Sequence, residues 1–202
     1  MKRFFAVVCA VLLTNAVVFA QESDDDDVYD DTGIMMRLNQ AGDQYINIAL
    51  MVTFPLNFGG EFPLYRKGQL SIGGSGMLGY HRFLTSMIAV GADISFGYHP
   101  TIGSNIFTYV PLVVNATVQP TLYKFEFPIT VGIGMAMENY LNRTYFPGLV
   151  LKANAGVFFR ATPSWSFGLA DDFTFLPQWY DEAKYNSYGC FNSVQICARY
   201  HF

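Results

Sequence analysis

The sequence predicts an all-β protein, an eight-stranded antiparallel transmembrane up-and-down β-barrel. Three observations indicate this class: a hydrophobic period of two, eight such segments of roughly ten residues, and a shortage of charge. Hydrophobic residues make up 51% of the 202 residues and charged residues only 14%, whereas a soluble domain carries about 25% charged residues. Because so few charges cannot cover a surface that faces water, much of this chain must contact something else.

Alternation of large apolar residues with small or polar ones defines the eight predicted strands. They cover 46–54, 70–81, 88–98, 110–119, 125–138, 149–160, 165–175 and 194–202. Tight connections near 83–86, 120–123 and 161–164 alternate with longer ones at 55–68, 98–105, 139–148 and 176–190. Membrane barrels have this arrangement, with short periplasmic turns on one rim and longer outward loops on the other.

The residue types on the two faces of each strand predict which face is inside. One face is rich in Gly, Ala, Ser, Thr and Asn, which fit the crowded interior of an eight-stranded barrel. The other face carries large apolar residues such as Ile72, Val131 and Leu151, which we expect to contact lipid. Aromatic residues near the strand ends predict two girdles at the membrane interfaces. A soluble barrel would have the reverse arrangement.

The segments before the barrel predict export. Residues 1–20 combine a basic start, an apolar run and small residues at their end, which is typical of a secretory signal peptide. Residues 21–43 begin with the acidic run QESDDDDVYDD and are predicted to be a solvated periplasmic extension, so that the barrel covers 44–202. No later stretch has the roughly 18 consecutive apolar residues of a transmembrane helix.

Cys190 and Cys197 are too far apart along one strand to be bridged and are predicted to be free thiols.

The C-terminal sequence VQICARYHF carries a resemblance to a known class. Its terminal Phe202, with Tyr200 two residues before it, is similar to the C-terminal assembly signal of outer-membrane β-barrel proteins. Gln195 matches the upstream polar position of that signal, while Cys197 replaces its usual Gly. Together with the strand pattern, this end resembles the small OmpX/OmpA/OmpW-like barrels and the outer-membrane proteins of spirochaetes of the Treponema type. The resemblance implies the outer membrane of a diderm bacterium as the location, and the lipid bilayer and the barrel-assembly machinery as partners.

Charged residues on the small-residue face predict a polar network inside the lumen. Its predicted members are Asp93, Glu126, Asp172, Lys152, Arg160 and Arg199. Two interpretations remain open, because the network either plugs a narrow barrel structurally or lines a selective path. The glycines on this face either let the strands bend sharply or leave room for a thin cavity beside Met51, Met77 and Phe158. Asp171 falls on the lipid-facing side, so we expect a β-bulge at residues 170–172 that turns it away from lipid.

Two function classes follow, and neither is enzymatic. The resemblance to OmpW-like proteins implies a narrow channel for small, in particular hydrophobic, solutes. The alternative is an adhesin or structural protein that acts through its aromatic outward loops, with host surface ligands as partners. His99 and Ser104 near one loop are too weak a pattern to predict catalysis. The sequence contains no metal-ligand spacing, cofactor motif or basic stripe for nucleic acid.

Overall fold

The computed structural model describes residues 28–29, 35–36, 38–59, 70–101, 105–140, 143–179, 182 and 186–202. The chain divides into two units, residues 1–37 and residues 38–202. In the first, Val28–Tyr29 pairs antiparallel with Met35–Met36. The predicted signal peptide and most of the predicted acidic extension lie outside the described residues. No helix in the described part of the chain is long and apolar enough to span a membrane.

The second unit is a closed antiparallel barrel of eight long strands. They are β1 (Gln44–Gly59), β2 (Gly73–Phe83), β3 (Ile88–Pro100), β4 (Ile106–Val118), β5 (Ile129–Tyr140), β6 (Arg143–Thr162), β7 (Trp165–Gln178) and β8 (Ser187–His201). Each strand pairs with the next, and β8 pairs with β1. The predicted fold class is therefore confirmed.

Closure depends on the pairing of the last strand with the first. The register between β8 and β1 runs from Tyr188 opposite Gly59 to His201 opposite Tyr45. Backbone hydrogen bonds join Gln44 and Phe202 in both directions, at 3.2 and 3.0 Å. Because every strand has two neighbours, no edge of the sheet is left for another chain, and the backbone polar groups are paired as an apolar environment requires.

The barrel has two rims of different construction. We call the rim formed by residues 84–87, 119–128 and 163–164, together with both ends of the barrel segment, the turn rim. We call the opposite end of the barrel, where β1, β3, β5 and β7 end and β2, β4, β6 and β8 begin, the loop rim. In outer-membrane barrels the short turns face the periplasm, so we expect the loop rim to lie at the cell surface.

The predicted orientation of the two faces is confirmed. Ile72 and Val131 are each 59% exposed and Leu151 is 39% exposed on the outer surface. The inner face carries the buried polar residues and smaller apolar ones. Exposed aromatic residues lie towards the turn rim at Tyr80, Phe125, Phe159, Trp165, Tyr200 and Phe202, and towards the loop rim at Phe96, Tyr98, Phe173 and Tyr188. A large-residue belt with aromatic borders is the surface that a bilayer requires.

Two connections differ from the sequence prediction. The fifth strand begins at Ile129, and Phe125–Glu126 forms a separate short strand that pairs with Thr121–Leu122 and with the end of β6. Pro128 lacks an N–H group and interrupts the ladder between the two segments. The expected loop at 139–148 is mostly strand, because Arg143 pairs with Tyr140 across a two-residue connection.

The expected bulge at Asp171 is wrong. The pairing of β7 with both neighbours is regular there, with Asp171 opposite Ala155 on β6 and opposite Val194 on β8. Asp171 therefore keeps its place on the outer face and is exposed. The side chain of Asn192 donates hydrogen bonds to both oxygens of this carboxylate, so Asp171 has a polar partner on the outer face.

Candidate functional site: the barrel lumen

A buried carboxylate near the turn rim organises the lower part of the lumen. Glu126 is fully buried, and its Oε1 accepts a hydrogen bond from Arg160 Nε at 2.7 Å and lies 2.6 Å from Arg160 Nη2. Its Oε2 accepts from Gln119 Nε2 at 3.1 Å and lies 3.6 Å from Arg199 Nη1. Arg199 also donates to Gln119 Oε1 at 2.9 Å. Two guanidinium groups and one amide therefore share one carboxylate.

Arg160 connects this cluster to the turn rim. Arg160 Nη2 donates to Asn39 Oδ1 at 2.6 Å, and Arg160 Nη1 donates to the carbonyl of Pro163 at 3.1 Å. Beside them, Ser166 and His201 share a hydrogen bond of 2.7 Å. The chain just before β1 and the turn between β6 and β7 are thus bound to the same side chain, which closes this end of the lumen.

Two further acidic residues hold the middle of the lumen. Asp172 lies 3.1 Å from Lys152 Nζ and accepts a hydrogen bond from Thr174 at 2.8 Å. Asp93 lies 3.0 Å from His81 Nε2 and accepts a hydrogen bond from Asn115. Each of these two acids therefore has a partner on a neighbouring strand or its own strand, as the cost of burying an unpaired charge demands.

The space left between these groups is small. A cavity of about 20 Å³ lies among Asn47, His81, Asp93, Lys152 and Arg199, which is room for about one water molecule. Met77 and Phe158, which together with Met51 were expected to border a thin cavity, line this small one, and all three pack with Ala49, Ala170 and Cys197. The guanidinium of Arg199 lies 3.4 Å above the centre of the Phe158 ring, so this cluster narrows the lumen.

An aromatic cluster occupies the lumen towards the loop rim. The ring of Phe191 lies 5.0 Å from His99, 5.4 Å from Tyr109 and 6.4 Å from Phe107, between centroids. All four side chains are buried, and Leu70 and Leu176 belong to the same packed group. We call Leu70, His99, Phe107, Tyr109, Leu176 and Phe191 the outer plug. His99 is held by a hydrogen bond of 3.0 Å between its Nδ1 and the carbonyl oxygen of Ser71.

All six residues of the predicted polar network lie inside the barrel and are buried. They are Asp93, Glu126, Asp172, Lys152, Arg160 and Arg199. The structure places them in three separate groups rather than one continuous line of charge. Ser104, which sequence reasoning considered together with His99, lies outside the described residues. Within the described residues, no group of three or more His, Cys, Asp or Glu side chains is placed to hold a metal ion.

Sequence reasoning missed two sets of lumen residues. Gln119, Asn115 and His81 hydrogen-bond to the charged lumen residues. Polar residues on the small-residue face are the signal that could have found them. Most of the outer plug was missed because the predicted strands ended too early, whereas Leu70 lies inside the predicted second strand, on the face expected to contact lipid, and is buried. Extending the period of two in β4 back to residue 106 puts Phe107 and Tyr109 on the inner face.

The two C-terminal aromatic residues lie on the outer surface at the turn rim. Tyr200 is 42% exposed and Phe202 is 57% exposed. Their rings are 6.1 Å apart, and Trp165 lies 5.1 Å from Tyr200, between centroids. The three rings form part of the aromatic border of the belt, and they are accessible from outside the barrel. Their part in assembly stays a prediction.

Comparisons of the sequence and the fold place the chain among known proteins. A protein-family model matches residues 22–200. In fold, the chain is similar to Neisserial surface protein A, with a TM-score of 0.64 and 10% identity over 80% of this chain and 99% of that one. It is also similar to the outer membrane protein OprG from Pseudomonas aeruginosa, with a TM-score of 0.50 and 11% identity over 81% of this chain and 97% of that one.

The chain belongs to the family of that model and has the fold of the small outer-membrane β-barrels. Two uncharacterized proteins of Treponema pallidum (strain Nichols) are similar in sequence. One is 36% identical over 102 residues, which is 50% of this chain and 46% of the relative. The other is 30% identical over 112 residues, 52% of this chain and 38% of the relative. The match thus spans less than half of either relative, and Treponema is a diderm spirochaete.

Proposed function

We propose that this outer-membrane barrel acts at the cell surface through its outward loops, in recognition or adhesion, and that its lumen is a structural support. The closed lumen carries this proposal. An eight-stranded barrel is just wide enough for side chains, and here ion pairs occupy its lower and middle parts while the outer plug lies towards the loop rim. The cavity of about 20 Å³ among the ion pairs has room for about one water, which favours a supporting role for this part of the lumen over conduction of ions.

The composition of the outward connections supports recognition. Residues 60–69 read GEFPLYRKGQ and residues 180–185 read YDEAKY. Tyr and Arg are enriched where proteins bind other proteins, because they combine apolar area with hydrogen-bonding groups. A rigid, filled barrel would hold the strand ends that these segments join at fixed spacing, which lowers the entropy lost on binding.

Replacing these two segments tests the proposal. The full barrel, in phosphatidylcholine nanodiscs, is applied to cultured epithelial cells, and bound protein is counted by fluorescence. We expect binding by the natural chain and its loss when 60–69 and 180–185 are replaced by Gly/Ser segments of equal length. Arg82→Gln, an exposed change at the turn rim, serves as the control and should bind normally. Equal binding by the loop-replaced barrel would contradict a role for these loops.

A second candidate function is the narrow transport of small hydrophobic solutes, favoured by the outer plug. Its apolar and aromatic side chains would offer such solutes an apolar environment below the loop rim, provided that the plug rearranges. The test is uptake of N-phenyl-1-naphthylamine by diderm cells that express the barrel, compared with cells that lack it. Faster uptake supports transport, while equal uptake, together with no conductance in planar bilayers, counts against it.

The barrel-assembly machinery remains the proposed partner for insertion, with Tyr200 and Phe202 as its recognition residues.

A further inference from the structure

A carboxylate side chain interrupts the apolar belt on the outer surface of β7. The outward residues of this strand are Trp165, Phe167, Leu169, Asp171 and Phe173, and all are exposed. Asp171 lies six residues from Trp165, which borders the turn rim, and seven from Gln178 at the other end of the strand. It therefore faces the apolar layer near its middle, where polar groups are rare and mark functional contacts.

Asn192 on β8 is the hydrogen-bonding partner of this carboxylate. Its Nδ2 donates to both oxygens of Asp171, at 2.9 and 2.8 Å. One amide nitrogen supplies both bonds, although a carboxylate accepts about four hydrogen bonds. Lipid acyl chains offer no further donors. The pair therefore retains capacity for hydrogen bonds that only another membrane-embedded group can use.

On one side of the Asp171–Asn192 pair, the neighbouring outward side chains are small. Ala155 on β6 lies directly opposite Asp171, and Ala153 on the same outer row is exposed as well. On the other side Val194, which is 51% exposed, lies opposite Asp171. Small side chains allow another wall to approach closely in a membrane, so the polar atoms are within reach of a partner surface.

The pair is complementary to itself. We propose that this face of the barrel binds a second copy of the chain about a two-fold axis, with Asn192 of each copy donating to Asp171 of the other. A two-fold contact requires that one patch carry both the donor and the acceptor, and here they are adjacent. Among the side chains whose burial the structure describes, the exposed cation is Arg82 at the turn rim, so the donor that the same patch of a second copy brings to this depth is the amide.

The association of the full chain in lipid bilayers tests the dimer. Labelled protein is reconstituted in vesicles of phosphatidylcholine and phosphatidylglycerol, and the dimer fraction is measured by energy transfer as the protein-to-lipid ratio changes. We expect Asp171→Leu and Asn192→Leu to raise the dissociation constant about tenfold, the effect of losing two membrane hydrogen bonds. Asp171→Asn, which still accepts a hydrogen bond, should stay within about threefold of the natural chain. Val114→Ala, a lipid-facing change on β4, is the matched control.

Cys190 provides an independent measurement. It lies two residues from Asn192 on the same outer row and is a free thiol, so a bismaleimide should link two copies through it in the natural chain but not in Asn192→Leu. Each variant is first checked for the barrel's resistance to unfolding in cold SDS, so that loss of folding is not read as loss of association. A natural chain that is monomeric at every density, or a dimer unchanged in both Leu variants, would overturn the proposal.

Discussion

Arg160 on β6 contacts one oxygen of Glu126 twice, through Nε at 2.7 Å and Nη2 at 2.6 Å. Glu126 lies in the connection between β4 and β5, within the short strand Phe125–Glu126 that pairs with the end of β6. Its other oxygen faces Arg199 on β8. One carboxylate is therefore shared by two cations from different strands and fixes the position of the turn-rim segment.

Replacing Glu126 is expected to be strongly destabilising. Glu126→Gln leaves two buried guanidinium groups without a counter-charge, and breaking a buried pair by removing one partner costs about 3–5 kcal/mol. The free energy of unfolding in urea, measured in phosphatidylcholine vesicles, should fall by about that amount. Arg82→Gln removes an exposed charge and should change it by less than about 0.5 kcal/mol. Equal effects of the two variants would contradict the role of Glu126.

The Lys152–Asp172 pair predicts a non-additive double mutant. Lys152→Met and Asp172→Leu each leave one charge alone in the middle of the lumen, and each should cost about 3–5 kcal/mol. The double variant has no charge left to neutralise and should be less destabilised than the sum of the two by at least about 1 kcal/mol. A complete double-mutant cycle in the same vesicles measures this coupling. Additive effects would mean that the 3.1 Å contact contributes nothing.

The alternation of residue types was enough to predict the barrel and its orientation. Ile72, Val131 and Leu151 lie outside as expected, because a strand has a period of two and one of its faces must meet lipid. The pairing of β8 with β1 followed from the same reasoning, since an apolar environment does not tolerate an open edge. These features depend on local pattern and on a requirement that applies to every strand.

Features that depend on contacts across the barrel could not be predicted. Asp171 stays on the outer face because Asn192, 21 residues later, meets it across the β7–β8 pair, and no local pattern reveals that partner. Arg160 and Asn39 are 121 residues apart in sequence. The sequence predicted which acids and bases face inward. It did not predict which of them pair, because the pairing depends on the exact register of each strand with its neighbours.

The outer plug predicts a different cost for inward and outward aromatic residues. Phe191 is completely buried among other rings, and Phe191→Ala should lower the free energy of unfolding by about 3–5 kcal/mol because it leaves a cavity. Phe96 is 53% exposed on the outer face, and Phe96→Ala exchanges only part of its contacts with lipid, so its effect should be smaller. Guanidinium unfolding in vesicles compares the two directly. A larger loss from Phe96→Ala would contradict the assignment of Phe191 to a packed plug.

Gly97 on β3 predicts a compensating pair with Tyr109 on β4. The two residues are direct neighbours in the β3–β4 register, and a Cβ atom at Gly97 would collide with the Tyr109 ring, whose Oη would lie only 2.7 Å away. Gly97→Ala should therefore destabilise the barrel by about 1–3 kcal/mol through overpacking. Because the three nearest atoms belong to the Tyr109 side chain, Gly97→Ala should cost less in a Tyr109→Val background than in the natural chain.

A second glycine, Gly76, provides the control for this pair. A Cβ atom at Gly76 would meet nothing nearer than the Ala49 carbonyl oxygen at 4.0 Å, so Gly76→Ala should be neutral or stabilise the barrel by about 0.4–1 kcal/mol through the unfolded chain. Unfolding free energies of the four variants and the natural chain decide the question. If Gly97→Ala costs the same with Val as with Tyr at position 109, the ring is not what excludes a side chain at position 97. The cost would then come from the backbone of β3 itself, and packing of Tyr109 over Gly97 would not explain the glycine.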